Sequence, residues 1–196
     1  MTDPVPVIHP GNAELLQTAT EYLLTAIAAV DEGDLGDPTR CTDWSIGDVL
    51  LHLINVAESL HKLADMGTFE LSDCPLSVAD ILRVAPERAR ALTDRLTGDA
   101  GTLDPQGLAN PEWANNAAIS GAVEFTTHGW DISAALGQAH RISDPQARAL
   151  LAITSEAIDS TARDPHFAPP VHVDASQPPS DQLVGFLGRD PHPPVA

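Results

Sequence analysis

The run I-S-G-A-V-E-F-T-T-H-G-W-D-I-S-A-A-L, residues 119–136, is long enough for about five helical turns without a proline, and Gly137 follows it as a stop. On a helix, Glu124 and His128 are one-turn neighbours on the same face. Ser120, one turn before Glu124, and Asp131, two turns after it, extend this into a polar stripe. Apolar residues flank the stripe, with Phe125, Ile132 and Leu136 on one edge and Ile119, Val123 and Trp130 on the other. The opposite face, carrying Thr126, Gly129 and Ser133, is small and uncharged.

Two readings of the stripe compete. In one, Glu124, His128 and Asp131 form an ordinary solvated face, and the small residues opposite let another helix approach closely. In the other the stripe points inward, where a carboxylate and an imidazole spaced Glu-x-x-x-His can chelate a metal ion from adjacent turns. Spacing alone does not separate them, because such pairs are common on exposed helices.

Working outward, the upstream chain carries further helical patterns. From Asn12, apolar residues recur at spacings of three and four through Leu15, Leu16, Ala19, Tyr22, Leu23, Ala26, Ile27 and Val30. An acid- and glycine-rich loop follows, then C-T-D-W-S-I-G-D-V-L-L-H-L, residues 41–53. There Ser45 and Asp48 read as a capping box that opens a second helix. Its core stripe is Ile46, Val49, Leu50, Leu53, Ala57, Leu60 and Ala64, and Gly67 ends it. His52 lies at the margin of that stripe, while His61 is half a circle away, so the two cannot serve one site.

A second capping box, Ser77 to Asp80, opens a third helix, which Pro86 is expected to kink or divide. Residues 98–116 read as a long connection of turn formers, of the kind that covers a site, with Trp113 anchoring it or serving as a lid. Downstream of Gly137, Ser143-Asp144-Pro145 caps a fifth helix running to about Thr161. From Asp164 the chain is broken by prolines, except for the apolar D-Q-L-V-G-F-L-G, which can dock as one or two turns. His166, His172 and His192 sit among those prolines, where mobile surface histidines are expected. No strand-like alternation of any length occurs. The expectation is an all-α bundle forming one domain over 1–196, with its core at about 12–161 and a tail at 164–196.

Composition narrows the function. The formal net charge is -18 and Lys62 is the only lysine, which argues against nucleic acid and anionic membranes as partners. No apolar run reaches the roughly 18 residues that span a bilayer. The first ten residues show no basic segment followed by an apolar run, so a cytoplasmic protein is expected. Cys41 and Cys74 are too few and too far apart for a disulfide framework or a cysteine zinc site, and neither has a neighbouring histidine in sequence that would suggest an activated nucleophile.

Three stretches together carry a family resemblance: residues 41–53, then V-E-F-T-T-H-G-W-D-I-S-A-A-L-G at 123–137, then D-Q-L-V-G-F-L-G-R-D-P at 181–191. They resemble the DinB-like superfamily, on the side of the metal-binding domain of mycothiol-dependent maleylpyruvate isomerase, and in particular its small single-domain metal-binding proteins. The resemblance implies a four-helix bundle holding a divalent metal, often zinc, through a His on the second helix and a Glu-x-x-x-His pair on the fourth. Those positions here are His52, Glu124 and His128, and Trp44 and the G-W-D after His128 also fit. Nickel or another divalent ion is the alternative to zinc. Asp131 is expected to orient His128 or act as a catalytic base, against the plainer reading of a surface acid or a structural hydrogen bond. The isomerase has a second, C-terminal domain that helps build its active site; this chain carries only a short tail there, so maleylpyruvate isomerisation itself is not expected.

Two imidazoles and a carboxylate leave a tetrahedral position open, which suits catalysis. The leading expectation is a metal-dependent transferase or isomerase that activates a low-molecular-weight thiol, mycothiol by resemblance, toward an electrophilic substrate. Arg83, Arg88 and Arg90 are the candidates for holding an anionic cosubstrate. The alternatives are a hydrolase or lyase using metal-activated water with Asp131 as base, and a non-catalytic metal-binding protein or homodimer in which the ion pins two helices.

Overall fold

The computed structural model describes residues 10–71, 76–98, 110–138, 141–158, 163 and 167–192. Among these, regular structure is entirely helical, apart from an isolated bridge between Pro38 and Ser45. The helices are α1 (Pro10–Ile27), α2 (Ile46–Met66), α3 (Val78–Thr97), α4 (Pro111–Ala135), α5 (Asp144–Ala157) and α6 (Pro179–Phe186). A short 3-10 turn, Glu32–Gly36, lies between α1 and α2.

The first four helices form the bundle. Helix α4 is its axis, packing on α1, α2 and α3, and α5 pairs with α6. The stripes read from periodicity meet in one core that includes Leu16, Leu23, Ile46, Leu50, Leu60, Leu92, Leu96, Phe125 and Ile132. Alanines at 114, 117, 118 and 122 keep α4 thin enough to sit among three neighbours. Gly129 continues that: a Cβ there would stand 2.9 Å from Tyr22 Cδ1 and 3.3 Å from Leu23 Cα, so α1 crosses with almost no gap. No helix of the described residues is long and apolar enough to cross a membrane.

The sequence signals at helix ends are largely realised. Ser45 and Asp48 exchange both bonds of the capping box. Gly67 ends α2 in the left-handed region at φ 72°. The expected box at α3 is only half present: Ser77 accepts from the Asp80 N–H, but the Asp80 carboxylate takes the Ser77 hydroxyl and Arg83 instead of the Ser77 N–H.

Two expectations are corrected. Helix α3 runs undivided through Pro86, because Ile81 and Ala85 before it and Ala89, Leu92 and Leu96 after it bury into one continuous core. The missing N–H removes only one helical hydrogen bond. Helix α4 begins at Pro111, with Asn110 capping the Glu112 N–H, so Trp113 is a helical residue. Its ring packs where a Gly67 Cβ would stand, tying the start of α4 to the end of α2. Residues 99–109 of the expected connection, Cys74 and His166 lie outside the described residues, as does the expected end of α5 near Thr161. The segment at 179–186 docks as two turns. His172 is exposed, and His192, also exposed, meets Asp181 at 3.0 Å.

Candidate metal centre

The polar stripe of α4 turns inward along its length. Ser120 is exposed, the Glu124 side chain is 29% exposed, the His128 side chain 8% and Asp131 fully enclosed. The solvated-face reading therefore holds only for the first turn. The second half of its argument is also realised, since the small face opposite does admit α1 at close range.

His52 reaches the site from α2, whose register is fixed by the capping box and by Leu50, Leu53 and Ile54 in the core. Its Nε2 stands 3.0 Å from Glu124 Oε2, and His128 Nε2 is 3.4 Å from the same oxygen. The ligand atoms of His52, Glu124 and His128 all lie within 4.8 Å of one another. Four ligands around zinc at bond lengths near 2.05 Å would be separated by about 3.4 Å. The two short edges, 3.0 and 3.4 Å, lie near that spacing, so the three donors form a group that could hold a small divalent ion. His61 faces elsewhere and pairs with Asp65.

Behind His128 is a buried ion cluster. The ring's Nδ1 lies 3.0 Å from Asp131 Oδ2, leaving Nε2 toward Glu124. Arg189, just past α6, donates from Nε to Asp131 Oδ1 at 3.2 Å and from Nη2 to Oδ2 at 2.9 Å. Its remaining nitrogen donates to the Leu187 carbonyl. A carboxylate bonded to the far nitrogen of a liganding histidine fixes the ring and raises its basicity. Asp131 is fully buried and is not among the residues that line the cavity in front of the site, and its oxygens are taken by Arg189 and His128.

Electrostatics follow from this enclosure. Burial opposes charge on His128, but its hydrogen bonds to Asp131 and Glu124 outweigh that and push it up to about 9. Burial likewise opposes ionisation of Glu124, yet the hydrogen bonds and charge of His128 and His52 hold its carboxyl well below the usual range. Asp131 is also held low against burial, by His128 and Arg189. Without an ion, the cluster is thus a protonated imidazole shared between carboxylates.

The loop before α2 supplies the facing wall. Thr39 N–H donates to the Trp44 carbonyl, Trp44 N–H to that of Cys41, and Ile46 N–H to that of Asp37, while Asp43 takes the left-handed conformation at φ 67°. This folded loop sets the Trp44 ring 4.8 Å from the His52 ring and 5.9 Å from the His128 ring, the latter nearly parallel. It also carries Cys41 to the site, with its sulfur within 4.8 Å of ligand atoms of His128 and Asp131. The expectation that Cys41 has no histidine beside it holds in sequence and fails in space. Burial, the leading influence, pushes its thiol up, with Arg189 opposing and Asp131 and Glu124 adding.

The cluster opens on a cavity of about 810 Å³ whose wall includes Arg40, Trp44, Leu71, Val123, Thr127 and Phe167. Arg83, Arg88 and Arg90 do not line it. Arg83 is spent on Asp80 and Glu87, and Arg88 on Glu58. The cavity's arginines are Arg40 and Arg189. Of these two, Arg189 could have been suspected from sequence: in a chain with ten cations, one sits immediately after an apolar docking segment. Cys41 gave no such signal, because only the folded loop brings it in.

This arrangement defines a class: a helical bundle that gathers two imidazoles and a carboxylate from facing helices onto the wall of an open cavity, a group suited to a divalent metal. The chain belongs to the mycothiol maleylpyruvate isomerase N-terminal domain family, whose model matches residues 16–133, more than half of its length. It is similar to two uncharacterized proteins of Mycobacterium tuberculosis, from strains CDC 1551 and H37Rv. Each is 28% identical over 177 residues, covering 88% of this chain and 94% of the relative. No solved structure matches it.

Proposed function

We propose that the protein is a divalent-metal-dependent enzyme that binds a small thiol, mycothiol by family, and brings it to an electrophile as a transferase or isomerase. The observation that carries this reading is the His52, Glu124 and His128 donor set on the wall of a cavity large enough for two small reactants. His52 Nε2, His128 Nε2 and a Glu124 oxygen would hold the ion, with zinc as the first candidate. Bound there, a divalent ion supplies a Lewis acid that favours the thiolate form of a thiol at neutral pH.

The chain's own residues do the rest. Asp131, fixed by Arg189, keeps the His128 ring in one orientation and one tautomer. Trp44 covers both imidazoles and limits water on that side. Arg40, exposed at the cavity wall, is the cation placed to meet an anionic cosubstrate, in the role that sequence alone assigned to Arg83, Arg88 or Arg90. A metal-water hydrolase with Asp131 as base fits less well, because Asp131 has no face on the cavity.

The test has two stages. Metal content by mass spectrometry is compared between wild type and His128→Ala purified without a histidine tag. About one equivalent in the wild type, lost in the variant, is expected. The loaded protein is then assayed against electrophiles with and without added thiol. Stoichiometric metal with no thiol-dependent turnover would falsify the enzyme reading and leave an ion that pins α2 to α4.

A further inference from the structure

Thr127 is one residue before His128 and one turn after Glu124, and it lines the same cavity. It is 4% exposed, and its hydroxyl has no hydrogen-bond partner among the described residues. This sets it apart from its neighbours on α4. Thr126 accepts from Gln146, Ser133 donates to the Gly129 carbonyl, and His128 and Asp131 bond each other. Buried threonines elsewhere in the bundle are also satisfied, Thr20 and Thr93 by one another and by helix carbonyls. Enclosed hydroxyls are rarely left unpaired, since each has given up water without a replacement. An isosteric valine would fill the place without that penalty, so the hydroxyl calls for a partner that the described residues do not provide.

We propose that Thr127 is a specificity residue: its hydroxyl takes a hydrogen bond from, or gives one to, a polar oxygen on the small thiol that occupies the cavity. This rests on the thiol-binding reading above and adds to it. The ligand class is then a thiol bearing a hydroxyl or carbonyl group on its chain, not a bare alkyl thiol. A helical threonine has two populated χ1 wells, so hydroxyl and methyl can exchange places on the cavity wall as the ligand arrives.

The test compares two pairs of near-isosteric probes, 2-mercaptoethanol against 1-propanethiol and 3-mercapto-1-propanol against 1-butanethiol. Binding is read from the sulfur-to-cobalt charge-transfer absorption of cobalt-loaded wild type, Thr127→Val and Thr127→Ser. Apolar thiols gain from burial in every variant, so the informative quantity is the ratio of affinities within a pair. In at least one pair the ratio is expected to shift by about tenfold toward the alkyl thiol in Thr127→Val and to stay near wild type in Thr127→Ser. Ratios unchanged in both pairs, with the absorption band intact, overturn the role of Thr127 alone. Absence of the band with all four thiols in a cobalt-loaded wild type overturns thiol binding and this inference with it. A merely structural Thr127 would alter melting temperature or cobalt content without moving the ratio.

Discussion

Replacing Asp131 by asparagine keeps the shape of the side chain and removes its charge. The carboxylate is fully enclosed and receives three donors, two from Arg189 and one from His128. An amide has one oxygen, so one of its faces must turn an N–H toward another donor. The best orientation leaves the oxygen in the Oδ2 place, serving His128 and one Arg189 nitrogen, and sets the amide nitrogen against Arg189 Nε. Arg189 itself is 7% exposed and has no other carboxylate within salt-bridge distance among the described residues. Stranding one member of a buried pair costs about 3 to 5 kcal/mol, and the surviving bonds place this case near 3. With a urea slope of about 2 kcal/mol per molar, the unfolding midpoint of the metal-free variant should fall by about 1.5 M. Circular dichroism in urea with chelator present measures it directly. Zinc affinity, read by competition with a coloured chelator, should fall about 10- to 100-fold, because the orientation and basicity of His128 depend on this partner. A midpoint within about 0.3 M of wild type would refute the buried-cluster argument, whatever the metal result.

Four further outcomes follow from the same geometry. In metal-free protein His128 titrates at about 9 when folded, against 6.5 unfolded, so its contribution is complete below pH 6.5 and is lost as pH rises through 9. That loss is on the order of 3 kcal/mol, and a flat stability profile between pH 6.5 and 9 in chelator would contradict it. Glu124 and Asp131, both held low, act with the opposite sign, and their contribution should disappear on acidification below their ordinary values of 4.5 and 3.8. Gly129→Ala should destabilise the bundle by about 1 to 3 kcal/mol, since the new methyl meets the Tyr22 ring and the backbone of Leu23; Gly121→Ala, facing the flexible end of Leu16 at 3.0 Å, should lose less by thermal melting. Arg40→Ala should raise the KM for anionic substrates several-fold, with the wild-type advantage shrinking in salt, while Arg83→Ala leaves KM unchanged.

Much of the bundle was legible because its helices obey local rules. The stripes of α1 and α2, the Ser45 cap and the Gly67 stop are each written within a few residues, and each is found. Pro86 left a kink or a break open, and no break occurs, because whether the flanking turns share one core is decided only by packing. Trp113 misled for a related reason: Asn110 and Pro111 make an adequate helix start, but the turn formers before them masked it. At the site, spacing made Glu124 and His128 neighbours but left open which way they face, and the family motif supplied both the inward direction and His52. The cluster behind them was not, since Arg189 lies 58 residues from Asp131 and Cys41 arrives on a loop whose shape is fixed by backbone bonds.

The ambiguity of the α4 stripe has a physical origin that also explains why the site is there. An amphipathic helix sends its polar groups to water because one face remains uncovered. From Phe125 to Ser133 only Trp130 escapes full burial, so this part of α4 has no such face. Its small residues let α1 close one side, while α2, the loop before it and the segment after α6 close the other. Polar groups placed there must find partners inside, and among the described residues each of them except Thr127 does. The glycines and alanines opposite Glu124 and His128 are therefore part of the signal: they mark a helix packed closely by its neighbours, and on such a helix a Glu-x-x-x-His pair is turned toward other protein groups and the cavity between them.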